Sequence, residues 1–400
     1  MKVGILSYHR SLNYGAVMQS FALSQRLKEI EGTEVEIIDY MSAKMNLYYK
    51  LFTLYRGKNS FFHICDRIIM YKAFMNGIRR LPLSEKKLVS DNIKKFYSYI
   101  KNQYDVIVVG SDAVWNYEKR GLPNPYFLIN SNRVHRLSYA ASCNGIHYKN
   151  LTSEKLKILK QSFDGFEYLG VRDQLTENIA EHATGKKRSM HNCDPTFLLD
   201  FEKDGLGNAF KQRLVEKLQR KYHWDPQKKH IGLMLSNLNG NLADILTKNL
   251  KQKYGDSYQT VAIYSYCKAA DIPYIADLTP FEWSRIFSLF DITFSKYFHG
   301  TLLSILNGTP VISLSAETET AGIPSKVEDV LNRLGLMEFY YPAKSASEIE
   351  WDSFMTAVDH LIHNPPLQKM NAGIEKERKS SESFFEYVKK LAQESARQEK

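Results

Sequence analysis

An α/β fold in two domains is what this chain predicts, on three observations. Its 400 residues exceed the size at which one hydrophobic core usually keeps growing. Short β-branched or aliphatic runs alternate with amphipathic segments, the pattern of mostly parallel sheets joined by crossover helices. Hydrophobic residues make up 44% of the chain, enough for two cores.

Taken in order, Val3–Ser7 reads as a strand and Ala16, Ser20, Leu23, Leu27 and Ile30 fall on one helical stripe before the strand Val35–Asp39, a βαβ opening. Residues 41–100 are too long for a plain crossover and predict a helical insertion. It mixes Tyr48, Tyr49, Phe52, Tyr55, Phe61, Phe62, Tyr71 and Phe74 with Lys44, Lys50, Arg56, Lys58, Arg67, Lys72, Arg79 and Arg80. Two readings stand: aromatics packed on the core with solvated charges, or a basic aromatic surface that rests on an anionic membrane. Strands follow at Val106–Val109 and Leu137–Ala141, and a short apolar strand runs up to Arg172, ahead of a helix from about Leu175.

The charged, helical stretch 200–229 marks the passage between domains. Strands at Ile231–Leu235, Thr260–Tyr264, Ile292–Ser295 and Pro310–Leu314 build the second sheet, and Ser325 with Glu328 forms a capping-box pattern at a helix start. The expected domains are 1–205, 206–345 and a helical, charged 346–400 that packs back on the first domain or frays.

Composition narrows the function. A net charge of +10 favours anionic partners, and with no nucleic-acid-binding motif beside it, nucleic acid is not expected. The Gly-rich dinucleotide fingerprint and the P-loop are both missing, so no nicotinamide or ATP site is indicated and no cofactor is expected. Cys65, Cys143, Cys193 and Cys267 lack metal-type spacing, and His191 and Cys193 have no partners at ligand spacing, so no metal is assigned. The scattered cysteines suit a reducing cytosol. Met1–His9 reads as a first strand and not as a signal peptide, and no apolar run approaches the ~18–20 residues needed to span a bilayer. The expectation is a cytoplasmic protein, peripheral at the inner face of the membrane on the second reading of 41–100.

The most informative stretch is Asp291–Leu306, where a strand runs through His299 into a helix. It sets an imidazole, able to donate and accept protons near neutrality, at a helix N-terminus that favours an anion. Ser295-Lys296-Tyr297-Phe298-His299-Gly300-Thr301, followed by Asn307-Gly308-Thr309-Pro310-Val311-Ile312, resembles the C-terminal signature of polysaccharide pyruvyl transferases. Ser11–Gln19, Val109–Asn116, Ser138–Ser142, Val171-Arg172-Asp173 and Asp194-Pro195-Thr196 agree with it in the family's order.

The resemblance implies two Rossmann-like domains facing across a cleft, as in the glycosyltransferase B fold. It implies transfer of the enolpyruvyl group of phosphoenolpyruvate to two hydroxyls of a sugar in a lipid-linked or nucleotide-linked glycan precursor, giving a pyruvate ketal and phosphate. His299, Arg172 and Asp112 are the catalytic candidates. Arg172, Ser295, Lys296, His299, Gly300, Thr301 and Lys326 would bind the donor, with Gly300 letting it approach the backbone. His9, Asn13, Tyr14, Gly15, Ser111, Asp112, Trp115, Asn116 and Ser142 would contact the acceptor, with Trp115 stacking on a sugar face. For Arg172 the bland reading is an ion pair with a nearby acid, and for Asn13, Asp112 and Ser142 it is turn and cap formation. Many family members carry arginine two positions before the histidine, where this chain has Tyr297. Lys296 faces the other way in an extended strand, so either another cation such as Lys326 supplies the charge or the donor is held differently. A nucleotide-sugar glycosyltransferase and a non-catalytic glycan-assembly protein are the rivals.

Overall fold

The computed structural model describes all residues except 53–60, 130–133, 145, 147–149, 236–240, 316–323 and 399–400. It divides into two units, one holding Met1–Leu199 and Glu377–Lys400, the other Asp200–Glu319 and Pro324–Lys376.

In chain order the first unit holds β1 (Lys2–Leu6), α1 (Tyr14–Lys28), β2 (Glu34–Ile37), β3 (Tyr40–Met41), α2 (Ala43–Phe52), α3 (Phe61–Ile78), β4 (Leu88–Val89), α4 (Ile93–Ile100), β5 (Val106–Val109) and α5 (Tyr117–Arg120). It continues with β6 (His135–Ala141), α6 (Ser153–Phe163), β7 (Tyr168–Val171), α7 (Gln174–Thr184) and β8 (Met190–His191). Six strands form one parallel sheet in the order β2-β1-β5-β6-β7-β8. The apolar runs are continuous because both faces of such a sheet are covered: all four residues of β5 and of β7 are buried. Strand order reverses at β1, with β2 on one side and β5 on the other, so the crevice beyond the carboxyl ends of β1 and β5 is this unit's switch point.

Two small departures from the sequence reading stand out. Helix α1 ends at Lys28, so Ile30 lies past it, and the helix is buried through Gly15–Ser24, on more than one face. The 41–100 segment is not wholly helical: it carries β3 and β4, a two-stranded parallel pair, whose four residues are too few to leave a periodic signal. Tyr55, Arg56 and Lys58 lie outside the described residues.

The second unit runs α8 (Asn208–Tyr222), β9 (Lys229–Met234), α9 (Leu242–Tyr254), β10 (Tyr258–Ala262), α10 (Pro280–Ile286), β11 (Ile292–Ser295), α11 (Phe298–Leu306), β12 (Val311–Ser313), α12 (Lys326–Leu334) and α13 (Trp351–His363), and α14 (Leu367–Lys379) begins in it. Its sheet is parallel, in the order β10-β9-β11-β12. The charged stretch around α8 is a packed helix: Lys217 Nζ binds Glu282 of α10 at 3.0 Å and the Asp277 carbonyl at 2.8 Å. Phe281, Phe287, Phe294, Leu302 and Ile312 fill the core.

The last helix, α15 (Glu382–Gln398), belongs to the first unit. Phe384 meets Tyr139 and Tyr168 edge-on at 4.8 and 5.3 Å, and the Ser381 hydroxyl oxygen just before it accepts from Tyr139 Oη at 2.8 Å and from the Cys193 amide at 3.1 Å.

Candidate functional site

In the first unit the polar residues collect at the carboxyl edge of the sheet. Arg172, one residue past β7, is buried, and its Nη1 donates to Asp194 Oδ2 at 3.1 Å while Nη2 lies 3.9 Å from Asp112 Oδ1. Burial opposes charge on the guanidinium, but Asp194, Asp112 and Asp173 together raise its pKa, so it stays a cation. Asp194 also accepts from Gln19 Nε2 of α1 at 2.6 Å and from the Thr196 amide and hydroxyl at 3.0 and 2.8 Å. A charge network thus ties α1 to the loops after β5, β7 and β8. Asp194, which the sequence offers only as part of the Asp194-Pro195-Thr196 motif and outside the candidate site residues, is its hub. The signal for it was Arg172 itself, a buried cation that needs a carboxylate. The guanidinium faces these acids in the structure and is not turned outward to a ligand.

Asp112 follows β5 in the left-handed region, φ +80°. Its Oδ1 accepts from the Ala113 amide at 2.8 Å, and a fifth of the side chain remains exposed. The turn depends on Gly110, φ +129°, where a Cβ would overlap the Tyr139 carbonyl oxygen. Ser7 and Ser111, flanking the switch point, are buried with hydroxyls that make no hydrogen bond among the described residues.

Several expected acceptor contacts have other work. Trp115 is fully buried, packed on Phe163 and Phe166 with centroids 4.9 and 5.6 Å away, and its Nε1 donates to the Tyr126 carbonyl at 3.1 Å. It is a core residue and cannot stack on a sugar. Asn116 is buried and donates to the Asn144 carbonyl at 2.6 Å. Ser142 is buried and donates to Asp173 Oδ2 at 2.5 Å, and Asp173 in turn caps α7. Asn13 caps α1 through bonds from the Gly15 and Ala16 amides, and Tyr14 stacks on Phe74 at 5.8 Å.

His9 is fully buried, its Nε2 3.3 Å from Asp39 Oδ1. Burial is the main reason its pKa is lowered, outweighing the pull of Asp39. Asp39, two residues past β2, would be raised by burial, yet two bonds from Arg10 at 2.5 and 2.6 Å and the contact with His9 hold it at about 2. Neither Asp39 nor Arg10 was singled out from sequence, although Asp39 is the polar end of an apolar strand and Arg10 adjoins His9.

In the second unit β11 leads directly into α11, whose first residue is Phe298. His299 therefore lies inside the first helical turn, half-buried, edge-on to Phe298 at 5.2 Å. The N-cap residue, Tyr297, makes no side-chain capping bond and no acid occupies the first turn, which leaves the amide end of the helix electropositive. Lys326, first residue of α12, places Nζ 5.9 Å from the centre of the Phe298 ring. Ser325 accepts from the Glu328 amide at 3.2 Å, the cap expected at this helix start. Tyr297 packs on Tyr264 at 4.1 Å, and Tyr264 is 47% exposed, so an aromatic pair stands where the family's arginine would be.

Three donor residues turn inward. Gly300 is buried against the sheet, where a Cβ would overlap Met234 Sδ and Ser295 Oγ; glycine here seats the helix on β9 and β11 and opens no path to the backbone for a ligand. Ser295 is buried and bonds the Tyr297 amide and carbonyl at 3.1 and 3.0 Å. Thr301 is buried with its hydroxyl 3.4 Å from Ser313. Lys296 donates to the Lys344 carbonyl at 3.3 Å, and burial lowers its pKa against the pull of Glu348. No cluster of potential metal ligands occurs among the described residues.

Two parallel-sheet units with polar carboxyl edges define an α/β protein of the glycosyltransferase B type, and solved structures agree. The chain is similar to the UDP-GlcNAc 2-epimerase from Neisseria meningitidis bound to UDP-GlcNAc, at 11% identity over 98% of this chain and 100% of that one, TM-score 0.55. It is similar also to the UDP-GlcNAc 2-epimerase from Methanocaldococcus jannaschii, at 12% identity over 94% and 98%, TM-score 0.52, and to the S. aureus MnaA–UDP co-structure, at 10% identity over 97% and 96%, TM-score 0.52. At such identities the likeness is one of fold. No curated protein sequence matches the chain significantly. The polysaccharide pyruvyl transferase family model matches residues 13–317, most of the chain, and the protein belongs to that family.

Proposed function

We propose that the protein is a transferase of glycan biosynthesis that moves the enolpyruvyl group of phosphoenolpyruvate onto two hydroxyls of one sugar. A proton adds to the donor's methylene carbon, and the first hydroxyl oxygen bonds to the adjacent carbon. The bond from that carbon to the phosphate oxygen breaks, and the second hydroxyl closes the ketal. Of the two hydroxyl protons lost, one balances the new methyl group and the other leaves with phosphate.

The observation that carries the reading is His299 in the uncapped first turn of α11, a turn whose first residue, Phe298, has Lys326 Nζ 5.9 Å from its ring centre. Helix amides and the lysine suit the donor's phosphate and carboxylate, and the imidazole suits proton delivery to the methylene. Asp112, partly exposed at the first unit's switch point, is the base we assign to the acceptor hydroxyls. Arg172 and Asp194 are positioning residues that hold the Asp112 loop.

Purified protein mixed with phosphoenolpyruvate and a panel of glycan precursors should release phosphate and add pyruvate to one of them, detected by mass. Silence across a panel containing the native glycan overturns the proposal. Thermal stabilisation by a uridine diphosphate with none by phosphoenolpyruvate would move the assignment to a nucleotide-sugar enzyme, the ligand class of the UDP-GlcNAc and UDP complexes above.

A further inference from the structure

We infer that α2 and α3 form an interfacial docking face for an anionic lipid bilayer. The two helices turn one side to a shared pocket, to which α2 contributes Asn46 and Tyr49, α3 contributes Tyr71 and Phe74, and the loop after β1 contributes Arg10. Their outer sides are apolar where water-facing helices are normally polar. Leu47 and Tyr48 are each 58% exposed and Leu51 52% on α2, and Ile68 and Ile69 are 38% and 42% exposed on α3. Single exposed apolar residues are ordinary. Here five of the eleven large exposed hydrophobics among the described residues sit on two helices.

Charge selects the occupant. In 43–52 and 61–80 the basic residues are Lys44, Lys50, Arg67, Lys72, Arg79 and Arg80, against the single acid Asp66. Lys44 is exposed on the same arc of α2 as Leu47, Tyr48 and Leu51. A second copy of the chain would bring the same basic face against itself, and like charges would repel. An anionic headgroup layer satisfies the cations while its acyl boundary takes the leucines, tyrosine and isoleucines. No helix among the described residues is long and apolar enough to cross a membrane, so contact through these helices would be peripheral. The inference stands apart from the reaction proposed above, because docking is read without substrate.

The full chain, spun with vesicles of phosphatidylcholine alone or mixed with phosphatidylglycerol, should pellet with the mixed vesicles only, and less so in high salt. Lys44→Glu with Lys50→Glu, and separately Leu47→Asp with Leu51→Asp, should each cut the partition coefficient by about tenfold or more, with melting temperatures like the parent's because all four side chains are exposed. Equal pelleting with neutral and anionic vesicles overturns the inference, as do variants that pellet like the parent. A dimer in solution that Leu47→Asp with Leu51→Asp dissolves, without vesicle binding by the parent, overturns it in favour of self-association.

Discussion

His299 and Arg172 are both polar residues just beyond a strand, yet their surroundings differ. The imidazole lies half-buried in the first turn of an uncapped helix; the guanidinium is buried on two carboxylates. Their substitutions should separate accordingly. His299→Ala should fold like the parent and lose roughly 10²–10⁴-fold in the phosphoenolpyruvate turnover proposed above, the usual worth of a positioned acid or base; unchanged turnover would remove His299 from the chemistry. Arg172→Met leaves Asp194 without its buried cation and should cost roughly 3–5 kcal/mol of stability, read as a fall in the denaturant midpoint. An unchanged midpoint would show that the network around Asp194 is not what holds this edge together.

At the scale of elements, the second unit depends on how closely α11 approaches β9 and β11. Gly300→Ala puts a methyl group where Met234 Sδ and Ser295 Oγ already sit. The helix must shift outward, at roughly 1–3 kcal/mol by the usual cost of overpacking, and His299 one residue away moves with it. The expected outcome is a lower melting temperature together with a turnover loss, whereas a change on the far side of α11 would lower stability alone. The loop after β5 is tighter still, since Gly110 has φ +129° and no room beside the Tyr139 carbonyl. Gly110→Ala should give little soluble protein, and normal yield with a parental circular dichroism spectrum would contradict the packing described.

For the molecule as a whole, buried histidines make stability fall in mild acid. His230 lies flat on Trp224 at 3.6 Å, and burial, outweighing nearby Asp291, pushes its pKa down to about 4 from an ordinary 6.5. The unfolded chain therefore takes up this proton first. Stability is fully present above pH 6.5 and drains away as pH falls towards 4. His9, also lowered, acts in the same direction. Asp39, held at about 2, adds a further loss below its ordinary 3.8. Melting temperature measured from pH 7 downward should drop through this window, and His230→Phe, which keeps a ring against Trp224, should drop less steeply; parallel curves would rule out His230 as a contributor.

Most of the longer strands, the α/β class and the family were legible in the residues themselves, because apolar runs such as Val106–Val109 must be buried on both faces and the motif around His299 survives as a local string. What a string cannot carry is which way a side chain points once helices cover the sheet. Trp115 reads equally well as a sugar platform or a core residue until Phe163 and Phe166, far along the chain, are seen closing over it. Gly300 reads as an opening for a ligand until Met234 fills the space. Arg172 and Asp194 are 22 residues apart, and only the parallel pairing of β7 with β8 makes them neighbours. Local periodicity and motif spacing thus determined the elements and the family, while long-range packing decided which polar side chains are already satisfied within the fold.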